Sequence, residues 1–204
     1  NWSAAAKVLD PAMNADHPDR RALTLLAKIH VKNEKFADAA ALYELGRKAF
    51  PQNVDILKGL AAVYRHLDEK AELHEVLVAL AERDPDDAVS RKILAESALS
   101  DKKFEDAARL AREALFVNVL DPDAHRLLGR ARLGLNQTSK AIAEFATVVE
   151  LSPDDADAAV ELASAQWAAG EKEAARKTLS DVLEEHTNHA GAKALATKLA
   201  APSW

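Results

Sequence analysis

Hydrophobic positions along the chain fall at helical spacing in short runs, and the runs recur. Ala141, Phe145 and Val148 lie on one face of a helix that stops at Pro153. One period earlier, "EDAARLAREALFVNVLD" repeats the arrangement. Written in blocks of 34 residues, 88–121, 122–155 and 156–189 align without a gap. Position 7 holds Leu94, Leu128 and Leu162, and position 8 holds the small residues Ala95, Gly129 and Ala163. Position 20 holds Ala107, Ala141 and Ala175, position 24 holds Ala111, Phe145 and Leu179, and position 27 holds Ala114, Val148 and Val182. The frame extends upstream to 54–87, with Leu60, Ala61, Tyr64, Leu77, Leu80 and Pro85. It extends again to 20–53, with Ala27, Phe36, Ala39, Tyr43, Gly46 and Pro51.

Each block therefore predicts two helices. Small residues at positions 8 and 20 let the two backbones approach, a larger residue at 24 fills the space beside them, and Pro at 32 ends the second helix. "SAAAKVL" (Ser3–Leu9) predicts a short helix ended by Pro11, within an N-terminal segment 1–19. "AGAKALATKLA" (Ala190–Ala200) predicts a cap helix within the C-terminal segment 190–204. Stacked repeats cannot bury their outer faces alone and need such ends.

The period of 34, small residues at 8 and 20, bulky residues at 11, 17 and 24, and Pro at 32 resemble the tetratricopeptide repeat family over residues 20–189. The resemblance implies an all-α fold: an α-solenoid of five helix-turn-helix repeats (20–53, 54–87, 88–121, 122–155, 156–189) in a right-handed superhelix. The sequence departs from the pattern at Leu73, which stands at position 20 of the second block. Val119 and Thr187 replace the position-32 Pro of the third and fifth. Pro122 instead opens the fourth block, where a first helical turn accepts it.

Composition agrees with helix. Hydrophobic residues make up 49% and aromatics 5%, which gives a core built largely of Ala and Leu, the strongest helix formers. There is no cysteine, so disulfides and thiolate metal sites are excluded. The net charge of −6 gives no support for nucleic-acid binding, and no apolar run is long enough for a membrane span. The first residue is Asn1 rather than Met, as in a processed chain or a piece of a longer one, and no signal peptide is visible.

Catalytic patterns are missing: there is no HExxH, Gly-rich phosphate loop or GxSxG. "EEHTNH" places His186 and His189 near Glu185 as the best metal candidate, but Thr187 and Asn188 read as a turn. The expectation is no metal and no cofactor. Acid pairs Asp86–Asp87 and Asp154–Asp155 fall at helix starts, where capping explains them.

The resemblance also implies that first helices line a concave face with positions 2, 5, 6, 9, 12 and 13. On these positions the first four blocks carry eight cations and three acids, and the fifth carries Asp157 and Glu161 with no cation. The candidate partner-binding residues are Lys28, Lys58, Arg65, Lys92, Arg126, Arg130 and Trp167. Lys58, Lys92 and Arg126 repeat at position 5, a ladder suited to carboxylates or phosphates along an extended ligand. A plain solvated helix face is the alternative. Trp167 is either a ligand anchor or a ring packed on the cap helix. The family's carboxylate clamp needs Asn at positions 9 and 6, and none stands there.

Two functions fit this pattern. One is a non-catalytic scaffold that holds a protein or extended peptide, with acidic segments among the candidates. The other is the docking region of a larger enzyme or secretion component whose chemistry lies outside these residues. The sequence leaves compartment and oligomeric state open.

Overall fold

The computed structural model describes residues 18–200. The helix expected at Ser3–Leu9 lies outside these residues. Among them the chain forms eleven α-helices and no strand. They are α1 (Arg20–Lys32), α2 (Phe36–Ala49), α3 (Val54–Leu67), α4 (Lys70–Arg83), α5 (Ala88–Ser100), α6 (Phe104–Val117), α7 (Pro122–Gly134), α8 (Thr138–Leu151), α9 (Ala156–Ala168), α10 (Lys172–Glu185) and α11 (Ala190–Ala200). Two compact units divide within the first turn of α5, one ending at Ser90 and the other beginning at Arg91.

Within the first unit, α1 packs on α2, α2 on α3 and α3 on α4, and the first helices α1 and α3 also touch. In the second unit the same order runs from α6 to α10, and α11 closes it against α9 and α10. Ala192 and Leu199 of α11 bury themselves with Ala163, Ala175, Leu179 and Val182. The final helix is thus a cap over the apolar face that the last hairpin cannot cover alone.

The small-residue columns set the approach of paired helices. Ala39, Ala107, Ala141 and Ala175 at position 20 are completely buried. Leu73 stands in that column in the α3–α4 hairpin and is half-exposed, as is the position-8 residue facing it in the pattern, Ala61. A larger side chain at the crossing cannot be enclosed as alanine is. Phe145, completely buried but for 1%, fills the α7–α8 hairpin against Gly129, where an added Cβ would lie 2.8 Å from the ring.

Three further columns emerge. Residues 19, 53, 87, 121, 155 and 189 all cap a first helix or α11. Asp19, Asn53, Asp87, Asp121 and Asp155 each accept a backbone N–H three residues on, at 2.8–3.2 Å. At the sixth place His189 Nδ1 accepts from Ala192 at 3.1 Å. Each cap satisfies a donor that the helix itself leaves unpaired. The turn inside every hairpin passes through one left-handed residue: Glu34, Asp68, Lys102, Asn136 and Gly170, with φ of 56–84°. The corner between hairpins is closed by a backbone bond from the cap residue to the residue three before it, at 2.9–3.2 Å in all five cases.

Candidate functional site

The predicted groove residues stand on first helices, and the structure separates them into two groups. Lys28 on α1 and Arg65 on α3 are exposed and form no ion pair among the described residues. The position-5 cations, in contrast, are occupied by carboxylates of the chain itself. Lys58 Nζ donates to Asp84 at 2.8 Å. Lys92 Nζ donates to Asp121 at 2.8 Å and to Asp123 at 3.3 Å. Arg126 donates to Asp155 and lies 3.3 Å from Glu161, and Arg130 donates to the same Glu161.

These contacts follow from the period. A residue at position 5 of one first helix lies beside the cap of the next first helix, 29 residues on. Asp121 and Asp155 hold that cap position and use one oxygen for the helix N-terminus and the other for the cation. In the first unit Lys58 reaches Asp84 instead, just after α4. The Lys92 and Arg126 pairs each tie a hairpin to its successor, whereas the Lys58 pair joins the two ends of the α3–α4 hairpin.

The electrostatics fit such ties. Burial would raise the Asp121 carboxyl, but the Lys92 ammonium and the Ala124 amide outweigh it and hold the group below the usual carboxylate range. The same balance, with Arg126 and the Ala158 amide, lowers Asp155. Burial would lower Lys92, but its bonds to Asp121 and Asp123 raise it. The hydrogen bond to Asp84 raises Lys58.

Trp167 is half-buried, and its ring packs at the edge of the cluster that includes Ala192 and Leu199. Lys172 and Arg176 of α10 lie over the ring, 5.4 and 5.8 Å from its centroid. The acidic end of the face is spoken for as well, since Glu161 neutralises Arg126 and Arg130.

His189 and His125 are engaged structurally. Besides capping α11, His189 has Nε2 3.3 Å from Asp157. His186 follows the last turn of α10. Among the described residues no group of three His, Asp or Glu side chains is placed to hold a metal. His125 lies between Glu144 (2.5 Å) and the Val119 carbonyl (2.9 Å), with Arg132 on the other Glu144 oxygen. Both of its ring nitrogens are taken. An open depression lined by Arg47, Lys48, Glu75 and Arg83 involves none of the predicted groove residues.

The column ladder was legible in the sequence, but its counter-charges were missed. The signal was there: an Asp at the repeat boundary 29 residues after Lys92 and again after Arg126. No sequence pattern marks the left-handed column, because Asp68, Asn136 and Gly170 suit that conformation but Glu34 and Lys102 do not.

Paired helices repeated at a fixed period, capped by a terminal helix, define a helical-repeat protein. Comparison with known proteins makes the class specific. One tetratricopeptide repeat family model matches residues 132–199, and a second matches 1–54, 24–72 and 92–133, which by itself exceeds half the chain. The chain belongs to the tetratricopeptide repeat family. It is similar in fold to YrrB, described as a tetratricopeptide repeat protein with an unusual peptide-binding site: TM-score 0.80, 17% identity, covering 94% of this chain and 99% of that one. MamA is similar at TM-score 0.72 and 19% identity, covering 91% and 97%. PilF of Pseudomonas aeruginosa is similar at TM-score 0.65 and 20% identity, covering 89% and 82%. No curated protein sequence matches the chain. Among the described residues no helix is long and apolar enough to cross a membrane.

Proposed function

We propose that this chain is a non-catalytic scaffold that holds an extended segment of a partner protein along its first helices, with Lys28 and Arg65 as the first charged contacts. The observation that carries the reading is the division of the cations. Lys28 and Arg65 are exposed on α1 and α3, which pack side by side, and no carboxylate of the chain among the described residues occupies them. An acidic side chain of a ligand gains their charge without displacing an internal partner. Lys58, Lys92, Arg126 and Arg130 contribute only by exchanging an internal carboxylate for one from the ligand, which yields little net attraction. Trp167 offers the part of its ring not covered by Lys172 and Arg176.

The test uses fluorescence anisotropy with unstructured Glu-rich, Gln-rich and Lys-rich peptides. The Glu-rich peptide should bind best, and added salt should weaken it. The double variant Lys28→Glu/Arg65→Glu should lose that binding, whereas Lys92→Gln/Arg126→Gln should retain most of it. Equal binding of all three peptides, or full binding by the first variant, would overturn the reading.

A further inference from the structure

One corner of the repeat array breaks the chemistry of the others. At position 29 the other four repeats carry Lys48, Glu82, Glu150 and Glu184, and the third carries Phe116. At position 32 it carries Val119 where three others have proline and the fifth Thr187. At position 33 it carries Leu120 where they have Gln, Asp or Asn. These side chains face water: Phe116 is 89% exposed, Val119 67%, Leu120 64% and Val117 39%.

The backbone does not require the change. The corner bond from Asp121 N to the Asn118 carbonyl, 3.2 Å, is the same bond that closes the other four corners. The corner is also held in place. His125 Nε2 lies 2.9 Å from the Val119 carbonyl, and Asn118 Oδ1 accepts from Leu120 N at 3.1 Å. Apolar groups on a fixed backbone lose little further freedom when covered.

We propose that the corner between α6 and α7 is a self-association surface, through which two copies of this chain pair about a two-fold axis with Phe116 as the anchor. Size argues for this occupant. The four side chains expose about 400–500 Å² of apolar surface. A standard interface takes about 800 Å² from each partner, rather more than half of it apolar. The patch therefore supplies the apolar share of one side, and a second identical patch supplies the other. It holds both a projecting ring and an aliphatic shelf, so a two-fold axis can lay each Phe116 on the other copy's Val119 and Leu120. Each copy carries a charge of −6, so the copies repel at low salt. Salt screens that repulsion, and association should tighten as salt rises. Binding of an acidic peptide at Lys28 and Arg65 has the opposite salt dependence, so the two ideas fail independently.

The test is sedimentation of the 204-residue chain from about 1 to 500 µM, at low and high salt. Wild type should form dimers in this range, more tightly at high salt. Phe116→Ser should weaken dimerisation at least about tenfold, as loss of an aromatic anchor does. Leu25→Ser, at a 48% exposed position elsewhere, should leave it unchanged. Helical circular dichroism checks the fold, and Leu120→Ser gives a second reading if Phe116→Ser loses helicity. A wild-type chain that stays monomeric throughout, as it would if the patch serves a different protein, overturns the proposal. So does a Phe116→Ser chain that dimerises like wild type.

Discussion

Asp121 serves two structures at once, and substitutions can separate them. Its Oδ1 accepts from Ala124 N at 3.1 Å, and its Oδ2 accepts from Lys92 at 2.8 Å. Asn keeps a cap of similar quality and removes the charge, whereas Ala removes both. Loss of a cap costs about 1 kcal/mol. The ion pair sits between the exposed and buried extremes, with side-chain exposures of 22% for Lys92 and 13% for Asp121. Asp123, 3.3 Å away, still offers Lys92 a partner when Asp121 is gone. A cost of about 1 kcal/mol for the charge is therefore expected, above an exposed pair and well below a buried charge left alone. Asp121→Asn should lose about 1 kcal/mol and Asp121→Ala about 2 kcal/mol. A double-mutant cycle of Asp121→Asn with Lys92→Met should show coupling of roughly 1 kcal/mol. Urea unfolding followed by circular dichroism measures wild type and the four variants, and amide exchange in the first turn of α7 reports the local effect. Equal losses for Asn and Ala would remove the cap from the account. Coupling near zero would refute the inter-repeat tie. The pH dependence supplies a second check. A carboxyl lowered in the folded chain stabilises fully above its unfolded pKa, about 3.9, and the contribution disappears as pH falls through the lower folded value. The gap between wild type and Asp121→Asn should be constant near neutrality and vanish in acid.

Three other perturbations probe the packing. Gly134→Ala places a Cβ 2.3 Å from the Phe104 ring, so it should destabilise by about 1–3 kcal/mol despite the better helix propensity of alanine, and Phe104→Leu should recover part of the loss in a thermal melt. Ala141→Leu, at a completely buried crossing, should cost about 1–3 kcal/mol, and an unchanged urea midpoint would contradict the close-approach account. Glu34→Gly relieves a left-handed φ of 58° and should leave stability unchanged or raise it by up to about 1 kcal/mol, whereas Gly170→Val, at φ 84°, should lower it by at least about 1 kcal/mol.

Much of the fold was readable because the period forces each residue type to answer the same packing question five times. Ala107, Ala141 and Ala175 share a column because three helix pairs need close approach at one place, and all three are completely buried. Asp87 and Asp155 read as caps from their place before an apolar run, and both cap. The hairpin turn was not legible, because Glu34 and Lys102 adopt a left-handed conformation that their side chains do not favour. There the neighbouring helices impose the turn, and local propensity is overridden. The same reasoning explains why the sequence marks the α6–α7 corner only by its missing proline. Its exposure depends on what the rest of the second unit covers, and a single strand of sequence carries no record of that.

The cation ladder shows why a column of like charges is a poor measure of available charge in a repeat protein. Helical periodicity carries position 5 of one repeat to the cap of the next, and a cap favours aspartate for reasons unrelated to ligands. Lys92 and Arg126 therefore meet carboxylates as a consequence of stacking. The ladder draws much of its charge inward, where it fixes the relation between consecutive hairpins. What stays outward is decided where the scheme lapses. The first repeat has Thr24 at position 5, which bonds back to the Arg20 carbonyl at 2.9 Å rather than reaching a cap. Lys28 stands at position 9 instead, with no boundary carboxylate to meet it among the described residues. On the proposed reading, cations off the position-5 register are the ones open to a ligand, unless the next first helix supplies an acid, as Glu161 does for Arg130. Moving Lys28 to position 5, by Lys28→Ala with Thr24→Lys, leaves the net charge unchanged. The new lysine would face Asn53, a neutral cap, so it should stay available and preserve acidic-peptide binding. Adding Asn53→Asp should then capture it and abolish binding, while raising stability by up to about 1 kcal/mol. Binding that survives the third substitution would refute the rule that a cap carboxylate, rather than the column itself, decides which cations a ligand can reach.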